Sequence, residues 1–106
     1  MGLFDFLKGQ DINQGIEVFH QTPGAVLLDV RTPQEYRQGH IPGSKNTPLQ
    51  SLEKVRSMVD NESTPLFVYC LSGSRSRQAA KLLSSMGYTD VRNIGGIANY
   101  QGKVVR

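Results

Sequence analysis

At 106 residues the chain has material for one domain and not for two. Twelve Lys and Arg against nine Asp and Glu give a formal net charge of +3, a mild excess that no basic run concentrates, which argues against a nucleic-acid binder. One cysteine, Cys70, and two histidines exclude an internal disulfide framework and argue against a structural metal site within one chain.

The first element in chain order is an amphiphilic extension over residues 1–9, with Leu3, Phe4 and Leu7 on one helical side. It has no basic start, long apolar stretch or cleavage site of a signal peptide, and Phe6 stands where a myristoylation signal needs Ser or Thr. It is too short to be a stable membrane anchor, so packing against the domain or fraying is expected. No apolar run approaches the ~20 residues that span a bilayer, and a lone thiol suits a reducing, cytoplasmic setting.

Residues 11–14 (DINQ) open a helix with Ile12, Ile16 and Phe19 on its apolar face. Residues 25–30 (AVLLDV) and 65–70 (PLFVYC) are continuous apolar runs, the pattern of strands covered on both faces in a parallel sheet. Between them, Thr32-Pro33-Gln34-Glu35 reads as a capping box with Pro at the first helical position. Thr47-Pro48-Leu49-Gln50 repeats the device ahead of Leu49, Leu52, Val55 and Val59. A helix over about 75–86 is expected to turn Ala79, Leu82, Leu83 and Met86 inward and to end at a left-handed Gly87. Residues 90–94 (DVRNI) form a weaker strand closed by Gly95-Gly96. Strands alternating with helices make a small α/β domain.

The stretch from Cys70 to Arg77 carries the chemistry. An apolar strand delivers Cys70 to its C-terminal end, where open α/β sheets bind ligands, and a short polar loop leads into a helix. Unpaired N–H groups of that loop and of the helix's first turn favour an anion, and a thiol among them ionises more easily. Gly73 leaves the bowl open, Ser72, Ser74 and Ser76 offer hydroxyls, and Arg75 adds charge at the rim. A cysteine ending an apolar strand is often plain core; the Gly/Ser/Arg loop and the helix behind it favour a nucleophile that carries or attacks an anionic group.

Residues 28–36 (LDVRTPQEY) with 39–46 (GHIPGSKN), the loop 70–76 (CLSGSRS), and Gly87-Tyr88 with Gly95-Gly96 resemble, in register over about residues 10–100, the motifs of single-domain rhodaneses. The resemblance implies a single rhodanese-like domain over residues 10–106, three-layered, with a central, mainly parallel sheet flanked by helices. It implies a thiosulfate sulfurtransferase in which Cys70 carries sulfur as a persulfide, with Leu71, Ser72, Gly73, Ser74, Arg75 and Ser76 forming the binding loop. Asp29 and Arg31 match the family's charged pair beneath the site, a supporting role. Thiosulfate or a similar small anion is the expected donor, cyanide or a thiol the acceptor, and a sulfur-accepting protein a further expected partner. No metal or organic cofactor is needed. A protein-partnered persulfide carrier and a non-catalytic interaction module are the rival readings, and an intact Cys70 speaks against the module. Related phosphatases place five residues between Cys and Arg; four separate Cys70 from Arg75, a tighter loop that suits one extra sulfur. Tyr100 stands where many members have Trp.

His40 is expected to order the 39–43 connection rather than to act as a base, and His20 to sit at a helix end or face water. Arg37, Lys45 and Arg77 read as scattered surface charge, the alternative being that they guide an anionic substrate.

Overall fold

The computed structural model describes residues 11–106, and the expected extension over residues 1–9 lies outside the described residues. Helix α1 (Ile12–His20) starts at Asp11, whose carboxylate accepts the Asn13 amide at 3.0 Å, the side-chain capping that relieves an unpaired N–H. Strand β1 (Val26–Asp29) leads into α2 (Pro33–Gln38). There the capping box forms as expected: Thr32 Oγ1 accepts from the Glu35 amide and Glu35 accepts from the Thr32 amide. A two-residue strand β2 (Lys45–Asn46) follows, then a 3-10 turn (Leu49–Lys54), the single-turn helix α3 (Val55–Met58) and strand β3 (Leu66–Cys70). Helix α4 (Ser74–Ser85), strand β4 (Val91–Gly96) and a 3-10 turn (Ile97–Asn99) complete the order.

The four strands form one parallel sheet in the order β2-β1-β3-β4. Strand pleating sends alternate residues to opposite faces. Leu28, Val68, Cys70, Ala79 and Leu83 share one core, while Leu27, Phe67, Tyr69 and Ile94 join Ile12 and Ile16 of α1 in the other. Every residue of β3 is buried, which is why its sequence is apolar without alternation. The expected three-layer architecture is therefore present. Because all strands run the same way, Asp29, Asn46, Cys70 and Gly96 end at one edge of the sheet. Among the described residues, no helix is long and apolar enough to cross a membrane.

Three expectations need correction. Thr47 does not cap a helix: its amide donates to Asp29 O at 2.9 Å, which holds it extended beside β1, and its buried hydroxyl finds no partner. The segment after it is consequently a 3-10 turn, broken at Ser51, followed by one α-turn, rather than a regular helix reaching Val59. Leu82 is 45% exposed; the inward stripe of α4 is Ser76, Ala79 and Leu83. Strand β4 runs through Gly95 and Gly96 instead of stopping before them, and Gly87 does take the left-handed conformation, with φ 110°.

Candidate active site

Buried strand β3 carries Cys70 to the sheet's C-terminal edge, and the chain must reverse within three residues to start α4 at Ser74. Gly73 makes that reversal possible, with φ 104° and ψ −12°, a left-handed conformation costly for any residue bearing a Cβ. The turn aims the Gly73 amide at Cys70 Sγ, 3.0 Å away. Cys70 itself is 0% exposed. Burial pushes its thiol up, but hydrogen bonding from the Ser76 hydroxyl and from the amides of Ser76, Gly73 and Ser72 outweighs burial and leaves the thiol below its ordinary value. The sulfur is thus enclosed, yet by donors that stabilise negative charge as well as by the apolar core.

Strand β4 supplies the other wall. Its pairing with β3 slips by one residue between Val68/Asn93 and Tyr69/Gly95, a bulge that brings Gly96 opposite Cys70. A Cβ on Gly96 would lie 2.2 Å from Leu71 O and 2.6 Å from Ser72 Cα; only glycine lets the loop lie against this strand. Asn93 then ties the pieces together. Its Oδ1 accepts from Ser76 Oγ at 2.6 Å and from the Gly95 amide at 3.1 Å, and its Nδ2 donates to Gly73 O at 3.3 Å. Sequence reading missed Asn93, since an Asn inside a weak strand carries no signal; its place two residues before a Gly-Gly pair is the only trace.

Asp29 and Arg31 form a buried ion pair. Arg31 Nη2 lies 2.7 Å from Asp29 Oδ2, Nε reaches both carboxylate oxygens, and Nη2 also donates to Gly39 O at 2.7 Å. Burial pulls the Arg31 guanidinium down, and Asp29 more than compensates. The pair fixes the turn after β1 to the connection that precedes β2, one strand away from Cys70.

Arg75 is not a free rim charge. Its two terminal nitrogens fork onto Glu35 at 2.8 and 3.0 Å, so the carboxylate that closes the α2 capping box also anchors the first turn of α4. Arg75, with help from the Thr32 groups, holds the Glu35 carboxyl down at about 2 despite some burial. In the sequence Glu35 is legible only as part of the cap. Of the loop serines, Ser76 is buried within the site while Ser72 and Ser74 are exposed, as is Leu71. His40 orders its connection as expected: its ring stacks on Tyr36 at 3.7 Å, its Nδ1 lies 2.8 Å from Tyr36 O, and it bridges to Val105. Tyr100 packs beside the α1-side core. Among the described residues no cluster of His, Cys, Asp and Glu is placed to hold a metal ion.

Comparison with known proteins agrees with this fold. The family model described as the rhodanese-like domain matches residues 16–103. Thiosulfate sulfurtransferase PspE of Escherichia coli (strain K12) is 42% identical over 71 residues, covering 66% of this chain and 68% of that protein. A putative sulfur carrier protein of Bacillus subtilis (strain 168), YrkF, is 38% identical over 78 residues, covering 73% of this chain and 42% of its own length. Among solved structures, a rhodanese with anions from E. coli superposes with a TM-score of 0.73 at 37% identity, covering 77% of this chain and 98% of that one. A human single-domain sulfurtransferase gives 0.73 at 26% identity over 85% of this chain and 94% of that one. With the family model spanning most of the chain and solved structures sharing its fold, the chain belongs to the rhodanese-like domain family.

Proposed function

We propose that the chain is a sulfurtransferase that moves sulfane sulfur from thiosulfate, or a similar small anionic donor, to cyanide or a thiol through a persulfide on Cys70. The observation that carries this reading is the Gly73 amide aimed at Cys70 Sγ at 3.0 Å, with Ser76 and further amides favouring the ionised sulfur. In the first half-reaction the Cys70 thiolate attacks the outer sulfur of thiosulfate. A new S–S bond forms, the old one breaks, and sulfite leaves with the bonding pair. The donors that favoured the thiolate now face a persulfide anion, presented by the backbone once the loop has admitted the donor. In the second half-reaction the acceptor attacks the outer sulfur and Cys70 departs as thiolate, ready for another cycle. Neither step calls for a metal or an organic cofactor.

Leu71 to Ser76 form the persulfide cradle, and Asp29 with Arg31 supports it from below. Cys70 has no exposure at rest, so the loop yields when a donor enters. A free thiol of this kind suits a reducing, cytoplasmic setting. Two half-reactions sharing one covalent intermediate give ping-pong kinetics.

The test is Cys70→Ser, a near-isosteric change that keeps the fold. Parallel double-reciprocal lines for the wild type and loss of transfer in the folded variant are expected. Sulfur transfer retained by Cys70→Ser would remove Cys70 from the mechanism.

A further inference from the structure

Two arginines at the C-terminal end of the sheet are each held by a carboxylate. Arg31, one strand away from Cys70, is held by Asp29, and Arg75, within Coulombic reach of Cys70, is forked onto Glu35. The loop's next cation, Arg77, projects with Lys81 into a separate, solvent-facing depression also lined by Ser74 and Gln78. The bowl therefore offers amide and hydroxyl donors but no uncompensated positive charge from Arg31 or Arg75. Charge acts at a distance, whereas amide donors act at contact. A dianion such as thiosulfate gains little long-range attraction here, and the Glu35 carboxylate adds repulsion wherever Arg75 does not cancel it.

We propose that Glu35 is a specificity-determining residue that sets how strongly the site discriminates against multiply charged sulfur donors, by neutralising Arg75 at the mouth of the Cys70 loop. The inference rests on the sulfurtransferase reading and adds the donor's charge as the selected property. Donors of lower charge, such as an organic thiosulfonate monoanion or a persulfide whose charge lies far from the reacting sulfur, are favoured relative to thiosulfate.

Glu35→Gln separates the electrostatic role from the structural one. Glutamine also serves in a capping box, so the Thr32 contacts persist while the negative charge is removed and Arg75 is released. Sulfur loading of Cys70 is measured with thiosulfate and with an aryl thiosulfonate, which presents the same sulfane sulfur with one charge fewer. In Glu35→Gln, kcat/KM for thiosulfate rises on the order of fivefold at low salt, and by less for the monoanion. The gain lies in KM and shrinks as salt rises past about 0.1 M. Arg75→Gln moves the same ratio the opposite way, because it leaves Glu35 uncompensated, and the double variant returns to within about twofold of wild type, as a charge pair requires. Equal changes for both donors, or a double variant that is worse than either single one, would mean that the pair only holds structure and would overturn the inference. Wild type that loads sulfur while Glu35→Gln gains nothing overturns this inference alone. Wild type that loads sulfur from neither donor overturns the sulfurtransferase reading and takes this one with it.

Discussion

Ser76→Ala isolates the contribution of one hydroxyl to the ionised thiol. Ser76 is 0% exposed, and its Oγ lies 2.6 Å from Asn93 Oδ1, 3.1 Å from Gly73 O and 3.4 Å from Gly95 O. A hydroxyl has one proton to give, and an ionised sulfur competes for it more strongly than neutral oxygens do. Removing Oγ strands little else. Asn93 Oδ1 keeps the Gly95 amide at 3.1 Å, and Gly73 O keeps the Arg77 amide at 3.1 Å. The fold should therefore lose only about 0.5–1.5 kcal/mol, the net worth of a neutral hydrogen bond, while the thiolate loses about 1.5–3 kcal/mol, the worth of one to a charged group. Because Cys70 is the only cysteine, the pH dependence of alkylation by iodoacetamide reads it directly. The profile's midpoint should move to higher pH while the urea midpoint falls slightly. An unmoved alkylation profile with a large loss of stability would refute the reasoning and make Ser76 a purely structural residue.

Other perturbations test other parts of the site. Gly96→Ala forces a Cβ into Leu71 O and Ser72 Cα, so the loop must retract; sulfur loading should fall by at least tenfold, on the order of 1.4 kcal/mol, and a variant that loads at the wild-type rate would contradict the close approach. Arg31→Met removes the guanidinium from the buried Asp29 carboxyl, which should cost about 3–5 kcal/mol in denaturant unfolding; a loss below about 1 kcal/mol would show that the remaining Arg31 amide, 2.9 Å from Asp29 Oδ1, suffices. Glu35 titrates lower in the folded chain than the ordinary carboxylate value, at about 2 against 4.5, so its contribution is present above about pH 4.5 and disappears as pH falls toward 2. Solvent screening of this partly exposed pair limits that contribution to on the order of 1 kcal/mol. Glu35→Gln should flatten the acid limb of stability, and an unchanged limb would refute the assignment.

Much of this was legible in the sequence because local physics and tertiary context agree. Apolar runs marked β1 and β3, Asp11 and the Thr32–Glu35 box marked helix starts, and the run from Cys70 to Arg75 marked a loop of amides at a sheet edge. What was not legible depends on partners distant in sequence. Two residues of β2 are too few for any periodicity. Thr47 carries the local signature of a cap, but pairing with Asp29 across the sheet edge overrides it. Leu82 fits the helical spacing of the core stripe and still faces water, since small Ser76 and Ala79 are what the sheet accepts there. Asn93 and the second role of Glu35 arise only when β4 and α2 come beside α4.

Intact-protein mass spectrometry after mixing with thiosulfate tests the central claim most directly. The account predicts a gain of one sulfur, located on the peptide bearing Cys70 and removed by cyanide or by a thiol. Protein that stays at its original mass under these conditions, or that gains sulfur elsewhere, would contradict it.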